Sequence, residues 1–203
     1  GRFITKPVGR FFFRAILRHG RDSIAIRQSH GIFGRRALTI TSMEQNEVLK
    51  ALRRDHAAEL KLAAERLKGT ARHTEIIPSP VLSEMTGHEI LLKPENLQVT
   101  GSFKIRGAYN KIASLSDEQL AHGIVTASAG NHAQGVAYAA RERGAKATIC
   151  MPQITPPLKV DATKAYGADV VLCGEVFDES AAHAQELSDT EGMIYVPPFD
   201  DYE

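Results

Sequence analysis

The sequence has few cysteines and no long apolar run, and each scarcity excludes a class of protein. Cys150 and Cys173 are the only cysteines, too few for a disulfide framework and without the spacing of a zinc site. We expect both to be small buried hydrophobic side chains in a reducing compartment. No apolar stretch approaches the roughly 20 residues that span a bilayer, since the longest, 11–17, contains Arg14. Without repeats or low-complexity tracts, the composition is typical of a soluble globular protein.

Acidic residues are almost missing from the first 42 positions. This segment contains eight Arg and one Lys against a single acid, Asp22, for a net charge of +8. Residues 43–203 carry 16 basic and 23 acidic residues, for a net charge of −7. Residues 1–42 also show no helical or alternating period. We interpret them as a basic leader or non-native extension of a cytoplasmic protein. A transit peptide to an organelle is one alternative, and an arm that stacks nucleic-acid bases on Phe11–Phe13 is another.

The rest of the chain alternates between helical spacing and short apolar runs. Helical spacing covers 44–68 and 102–113, and a strand is expected at 89–93 after an extended crossing through Pro78 and Pro80. Further strands are predicted at 123–126, 147–151, 169–173 and 193–196, with helices at 131–143, 156–166 and 178–189 between them. This order predicts an α/β fold of open parallel sheets with flanking helices. Ligands of such folds lie at the carboxyl ends of strands.

A lysine follows the first of two small-residue turns. Residues 95–108 read ENLQVTGSFKIRGA, in which Ser102 is a suitable N-cap for a helix that carries Lys104 in its first turn. The helix macrodipole disfavours a cation there and so favours the neutral amine that a Schiff base with an aldehyde cofactor requires. Phe103 can supply an apolar face beside the amine. The alternative is an ordinary solvated lysine.

The second turn directly follows a predicted strand. Residues 128–135 read SAGNHAQG, and a strand, a small-residue turn and a helix together form a nest of backbone N–H groups that suits a carboxylate or phosphate. The alternative is a plain connection whose small residues only allow close packing. His132 is equally consistent with a structural hydrogen bond. His88, His122 and His183 show no spacing that indicates metal ligation, so we expect no metal site.

Taken together, the two turns resemble those of the threonine/serine ammonia-lyases, which are fold-type-II pyridoxal-phosphate-dependent enzymes and have serine racemase as a close cousin. The resemblance rests on TGSFKIRGA and SAGNHAQG and continues through MPQITPPLKVDATKAYGADVVLCGEVFDES to VPPFDD. It covers roughly residues 65–201 and excludes the first 42. It implies a two-domain enzyme with pyridoxal 5′-phosphate as its cofactor. The implied reaction is deamination of L-threonine or L-serine to a 2-oxo acid, 2-oxobutanoate or pyruvate, and ammonia.

The resemblance also implies a role for each matched residue. Lys104 carries the cofactor through a Schiff base and later moves the substrate Cα proton, while Phe103 packs against the cofactor ring. Asn131 hydrogen-bonds the pyridoxal 3′-oxygen. The loop that receives the substrate carboxylate, largely through backbone N–H groups, consists of Ser128, Ala129, Gly130, Asn131 and His132.

Two parts of the resembled enzymes have no counterpart in these 203 residues. The glycine-rich phosphate loop and the Ser or Thr that faces the pyridine nitrogen are expected beyond VPPFDD, so we interpret the chain as a fragment, truncated at its C-terminal end. We expect 43–120 to be the N-terminal part of a large domain, 121–197 a small domain, and 198–203 the start of the return to the large one. When full length, the enzyme is expected to be a homo-oligomer that binds neither nucleic acid nor membranes.

Two other functions stay open at this stage. A racemase needs a base on each face of the substrate Cα, and in serine racemases the second base is a Ser at the position of Ala129. Because the Ala129 methyl accepts no proton, we expect elimination rather than racemisation. A non-catalytic binding module is the second alternative, and it predicts a colourless protein instead of a yellow one.

Overall fold

The structure is a computed structural model that describes residues 56–199 and 201, together with the backbone of four strands between residues 3 and 38. Two compact units divide the chain, Gly1–His56 and Ala57–Asp201. Within the described residues, no helix is both long enough and apolar enough to cross a membrane.

The first unit contains a four-stranded antiparallel sheet in the order β1-β2-β3-β4. Its strands are β1 (Phe3–Val8), β2 (Phe11–Ile16), β3 (Ala25–Gln28) and β4 (Ala37–Leu38). The sequence analysis did not predict these strands, because residues 1–42 lack the alternation of apolar and polar residues that identifies a half-buried strand.

The second unit is built on a parallel sheet of four strands. They are β7 (Ile124–Ala127), β8 (Ala147–Met151), β9 (Asp169–Leu172) and β10 (Ile194–Tyr195). Their order is β10-β7-β8-β9, and every neighbouring pair is parallel. All four residues of β7 are buried, as expected for a strand that has neighbours on both sides and helices on both faces. The predicted parallel sheet with flanking helices is therefore confirmed.

Along the chain, the helices of this unit lie before the parallel sheet and between its strands. They are α1 (His56–Leu67), α2 (Pro80–Thr86), α3 (Lys104–Ala113), α4 (Asp117–Ala121), α5 (Asn131–Glu142), α6 (Pro157–Lys164) and α7 (Phe177–Glu191). A short antiparallel pair, β5 (Ile77–Pro78) and β6 (Leu91–Leu92), and a 3₁₀ turn at Glu95–Leu97 complete it.

Each face of the parallel sheet has its own apolar core. Successive side chains of a strand point to opposite faces, so Ile124 and Ile149 pack with Ile112 and Val136 on the face covered by α3 and α5. Val125, Ala127, Cys150 and Ala184 form the core of the opposite face, under α7. Burial of each fully buried isoleucine stabilises the folded state by about 1.5–3 kcal/mol through the hydrophobic effect. These two cores fix the sheet between its helices.

Several boundaries differ from the predictions for local reasons. The extended crossing through Pro80 is wrong beyond Pro78, because Ser79 occupies the N-cap position and Pro80 opens α2, where its missing N–H costs nothing. The short helix α4 was not predicted, although Ser116 and Gln119 form a capping box at its start. Of the helix predicted over 44–68, residues 56–67 are helical, and the start of that prediction lies outside the described residues.

Candidate active site

The reversal of strand order beside β7 places a crevice where two strands end. The chain runs from β7 outward through β8 and β9, and then returns to β10 on the other side of β7. Open α/β sheets bind ligands at such a switch point, outside the carboxyl ends of the strands. A cavity of about 290 Å³ lies there, and Lys104, Phe103 and His132 line it together with Val196–Phe199.

Lys104 is the first residue of α3 and reaches into this cavity. Its Nζ donates a hydrogen bond to the carbonyl oxygen of Pro198 at 2.7 Å and lies 5.7 Å from the centre of the Phe103 ring. Phe103 is 59% exposed. The amine and the aromatic ring are therefore neighbours at the same cavity.

The turn before Lys104 is held by its backbone rather than by a cap. Gly101 has φ +70°, a left-handed conformation that favours glycine, and its N–H donates to the carbonyl of Gln98 at 2.9 Å. The prediction of Ser102 as the N-cap is wrong: Phe103 occupies that position and no side chain caps the helix. Ser102 is instead buried, and so is Thr100. Neither hydroxyl has a hydrogen-bond partner among the described residues.

An ion pair anchors α3 two residues beyond the lysine. Arg106 donates to both carboxylate oxygens of Glu95, from Nε at 2.8 Å and from Nη2 at 2.9 Å, and Thr74 donates to the same carboxylate at 2.6 Å. The hydrogen bond from Arg106 is the largest cause that lowers the pKa of Glu95 from 4.5 to about 2, against the opposing effect of burial. A bidentate pair of this kind fixes the orientation of the two side chains and is stronger than a single hydrogen bond.

The second turn leads into α5, whose first backbone N–H groups have no acceptor within the helix. Ser128 N–H donates to the carbonyl of Cys150 at 3.1 Å, which fixes the turn to the end of β8. Gly130 N–H donates to the hydroxyl of Ser128 at 3.3 Å. Gln134 N–H is the first to donate back to the turn, to the Gly130 carbonyl, so the amides of residues 131–133 have no acceptor within the helix. They form the positive helix end that suits a carboxylate.

A close helix crossing at Gly135 joins the two turns. A Cβ added to Gly135 would lie 3.2 Å from the carbonyl carbon of Lys104 and 3.3 Å from the backbone nitrogen of Ile105. Only glycine therefore lets α5 approach the first turn of α3 at this distance. The sequence analysis named this glycine only as part of a small-residue turn, because a contact between distant segments leaves no local signal.

His132 is a buried, neutral histidine behind Lys104. Its Nε2 lies 3.2 Å from the carbonyl oxygen of Val196 and 3.2 Å from the hydroxyl of Thr126, which itself donates to the same carbonyl. Because that carbonyl is only an acceptor, we assign the ring proton to Nε2. Burial is the largest cause that lowers the pKa of His132 from 6.5 to about 4, and the charge of Lys104 acts in the same direction.

The structure unites only part of the predicted site. Lys104, Phe103 and His132 share the cavity, whereas Ser128, Ala129, Gly130 and Asn131 do not line it. Those four form the N-terminal edge of α5 next to His132. The far wall is formed by the segment after β10, including Pro198, for which the sequence analysis proposed no role.

Comparison with known proteins agrees with the class that this site defines. Residues 67–203 match the family described as pyridoxal-phosphate dependent enzymes, and the chain belongs to that family. The matched residues include the parallel sheet, Lys104 and the turn at 128–135.

The relatives are more specific. The chain is 52% identical over 143 residues to an L-threonine ammonia-lyase of Thermotoga maritima, covering 70% of this chain and 36% of the relative. It is 50% identical over 144 residues to a catabolic L-threonine dehydratase of Staphylococcus aureus, covering 70% of this chain and 42% of the relative. The chain therefore spans well under half the length of these curated relatives.

Solved structures show the same relationship. The processed form of threonine deaminase isoform 2 from Solanum lycopersicum superposes with a TM-score of 0.65 at 43% identity, over 73% of this chain and 42% of that one. A serine racemase from Dictyostelium discoideum superposes with a TM-score of 0.66 at 35% identity, over 71% and 47%. The fold is thus shared by both enzyme classes, and sequence identity is higher to the deaminase.

The residues around the cavity fit pyridoxal phosphate. Lys104 supplies the amine that an aldehyde requires, and Phe103 the exposed apolar ring for an aromatic cofactor. Thr100 and Ser102 lie in the turn that leads into Lys104. Their hydroxyls are buried, can donate hydrogen bonds, and have no partner among the described residues. Buried polar groups without partners are rare in proteins, so these two are consistent with a nearby anionic group.

Proposed function

We propose that the protein carrying this chain is a pyridoxal-phosphate-dependent threonine/serine ammonia-lyase. Such an enzyme removes water from L-threonine or L-serine and releases a 2-oxo acid, 2-oxobutanoate or pyruvate, together with ammonia. The observation that carries the proposal is the convergence of Lys104 and the N-terminal end of α5 through Gly135, on a chain about half identical to curated L-threonine ammonia-lyases.

The reaction needs a proton acceptor, a carboxylate site and an electron sink. Pyridoxal phosphate, when bound, supplies the electron sink that stabilises negative charge at the substrate Cα. Lys104 would hold it, Phe103 would pack on its ring, and the Asn131 side chain, which is exposed at the start of α5, would donate to its 3′-oxygen. The turn 128–132 would bind the substrate carboxylate, mainly through the first amides of α5.

Lys104 then acts as the base. Its Nζ would take the Cα proton and pass it to the β-hydroxyl, which would leave as water when the Cβ–O bond breaks. The released enamine is hydrolysed to the 2-oxo acid and ammonia. In this structure the Pro198 carbonyl holds Nζ at 2.7 Å, and the neutral His132 places no second positive charge beside it.

A serine racemase is the second candidate, since solved racemases share this fold. Ala129 argues against a racemase, because it occupies the position of the second base and its methyl group accepts no proton. The test uses the full-length protein with L-serine and L-threonine, and measures 2-oxo acid, ammonia and D-amino acid. We expect equal amounts of 2-oxo acid and ammonia, little D-serine, and no turnover by Lys104→Ala. D-serine formed as fast as pyruvate would replace this proposal with the racemase.

Three further features belong to the same proposal. Residues 43–120 and 198–203 would form part of a large domain and residues 121–197 a small one, with residues 1–42 outside the enzyme proper. The enzyme would be a cytoplasmic homo-oligomer acting on free amino acids. If residues 1–42 are a transit peptide, the location is an organelle, as for the relative named chloroplastic threonine dehydratase of Solanum lycopersicum.

A further inference from the structure

Three side chains with metal-binding atoms meet under α7, outside the cavity described above. Cys150 lies on β8, Cys173 follows β9, and His183 lies on α7. The two sulfur atoms and one imidazole nitrogen all lie within 4.8 Å of one another. The sequence analysis expected no metal ligand among them, because three residues on three separate elements show no ligand spacing along the chain.

The backbone around these side chains is already fixed. Cys173 N–H donates to the carbonyl of Met151 at 2.8 Å, which ties the residue after β9 to the end of β8. The Cys173 carbonyl in turn accepts a hydrogen bond of 2.7 Å from the hydroxyl of Ser180, a fully buried residue on α7. Strand, strand end and helix are therefore locked together at the point where the three ligand atoms meet.

Burial of the three groups is graded from the core to the surface. Cys150 is completely buried, Cys173 is intermediate, and the His183 side chain is 36% exposed. The cluster therefore spans the boundary between the core and the surface.

A carboxylate stands behind the imidazole. Glu186 lies one helical turn after His183, and its Oε2 is 3.2 Å from Nδ1 of the ring. An ion bound through Nε2 would leave Nδ1–H donating to this carboxylate. That carboxylate–histidine–metal arrangement orients the ring and raises its basicity in metalloproteins.

We propose that Cys150, Cys173 and His183 form a site for a soft divalent cation, with Zn²⁺ as the ion. Two thiolates and one imidazole are a preferred ligand set of Zn²⁺, and a water molecule completes the tetrahedron. Zn–S distances near 2.3 Å and Zn–N distances near 2.0 Å place ligand atoms about 3.5–3.8 Å apart. Closing from 4.8 Å at most requires movements of about 1 Å. Binding releases two thiol protons to solvent, so charge balances.

The site is independent of the proposed enzyme function, but it adjoins the same framework. Cys150 accepts, through its carbonyl, the hydrogen bond of Ser128 N–H at 3.1 Å. An ion at the Cys150 side chain would therefore fix the strand end to which the anion-binding turn is attached. The role that this geometry supports is structural, since no residue of the cluster lines the cavity of Lys104.

The test is a titration of the reduced full-length protein with Zn²⁺ and, as a spectroscopic substitute, Co²⁺. We expect one ion per chain, thiolate-to-cobalt charge-transfer absorption, a higher Tm in the presence of Zn²⁺, and displacement of Co²⁺ by Zn²⁺. Cys173→Ala and His183→Ala should each weaken binding at least 100-fold, and Glu186→Gln by about 10-fold. These residues are chosen because they are not fully buried, whereas replacement of Cys150 could itself unfold β8.

His73→Ala is the matched control. His73 also lies beside a glutamate, with Nδ1 at 3.5 Å from Oε1 of Glu75, and is 82% exposed, but it does not belong to the cluster. Its replacement should leave metal affinity and absorption unchanged. The proposal is overturned if the reduced chain shows no thiolate-to-cobalt absorption. It is also overturned if Cys173→Ala binds Zn²⁺ as tightly as the unaltered chain, or if His73→Ala removes the binding.

Discussion

Gly135→Ala tests how Lys104 is positioned, because Gly135 of α5 packs directly on the backbone of Lys104 at the start of α3. The added methyl carbon would lie 3.2 Å from the carbonyl carbon of Lys104 and 3.3 Å from both the Lys104 carbonyl oxygen and the Ile105 nitrogen. Carbon atoms pack best at about 3.5–4.0 Å, so the two helices must separate by a few tenths of an ångström. All three contacted atoms are backbone, and none can rotate away.

The expected loss follows from this overlap. Overpacking of a tight core costs about 1–3 kcal/mol, and the helix preference for alanine over glycine offsets about 0.5–1 kcal/mol of this. We therefore expect a net loss of about 0.5–2 kcal/mol in the free energy of unfolding. The shift falls on the residue that carries the reactive amine. A displacement of 1 Å can reduce turnover about 100-fold, so a shift of a few tenths should reduce kcat of the full-length enzyme by about 2- to 10-fold.

Gly107→Ala is the matched control for stability. Gly107 lies inside α3, the helix that carries Lys104, and a Cβ there would meet nothing within 4 Å. An alanine in a helix interior is more stable than glycine by about 0.5–1 kcal/mol, so the two substitutions should have opposite signs. Urea unfolding followed by circular dichroism measures both. If Gly135→Ala stabilises the chain as much as Gly107→Ala does, the close crossing does not exist and the positioning argument fails.

Three further predictions concern His132, Glu95 and Ala129. Because the folded-state pKa of His132 is lowered from 6.5 to about 4, its neutral form stabilises the fold fully above pH about 6.5. This contribution should be lost as pH falls from there towards 4, and His132→Gln should flatten that part of the curve of unfolding free energy against pH. Glu95→Gln leaves Arg106 without its charged partner, and it should destabilise the chain by about 1–2 kcal/mol, between the values for exposed and buried pairs. Ala129→Ser adds a hydroxyl beside the carboxylate turn, and in the full-length enzyme it should raise D-serine formation while most of the elimination remains.

Each of these predictions has a result that contradicts it. A histidine NMR titration that places His132 near its ordinary pKa would show that it is not buried as a neutral donor. An unchanged Tm for Glu95→Gln would mean that the pair with Arg106 does not anchor the lysine helix. Chiral chromatography that finds no D-serine from Ala129→Ser would remove the argument that this position decides between racemisation and elimination.

Local signals explain which parts of the fold could be predicted from the sequence. The strands from 123 onward were recognised because each is a short apolar run and a helical stretch separates it from the next. The first two of these helical stretches end at Gly144 and Gly167. Ser102 shows the limit of such signals. Its residue type favours an N-cap, but Ser102 is buried and Phe103 occupies the N-cap position.

Contacts between distant segments could not be predicted in the same way. The sequence showed that Lys104 and the turn at 128–135 both carry small-residue motifs, but not that Gly135 packs on the Lys104 backbone. It also showed neither that the Pro198 carbonyl holds Nζ nor that Cys173 meets His183. Each of these contacts depends on strand order and helix packing, which join residues that no spacing rule relates. The resemblance to a known family supplied part of what spacing could not.

The central claim is that Lys104 carries the cofactor, and one measurement tests it most directly. The full-length protein, loaded with pyridoxal phosphate, is reduced with borohydride, digested and mapped by mass spectrometry. We expect one pyridoxyl group per chain, on Lys104, and none in Lys104→Ala. Lys111→Ala is the control, since Lys111 lies on the same helix and lines the same cavity, and its loss should leave the modification of Lys104 intact. A pyridoxyl group on Lys111 or any other lysine of the unaltered protein would contradict the account.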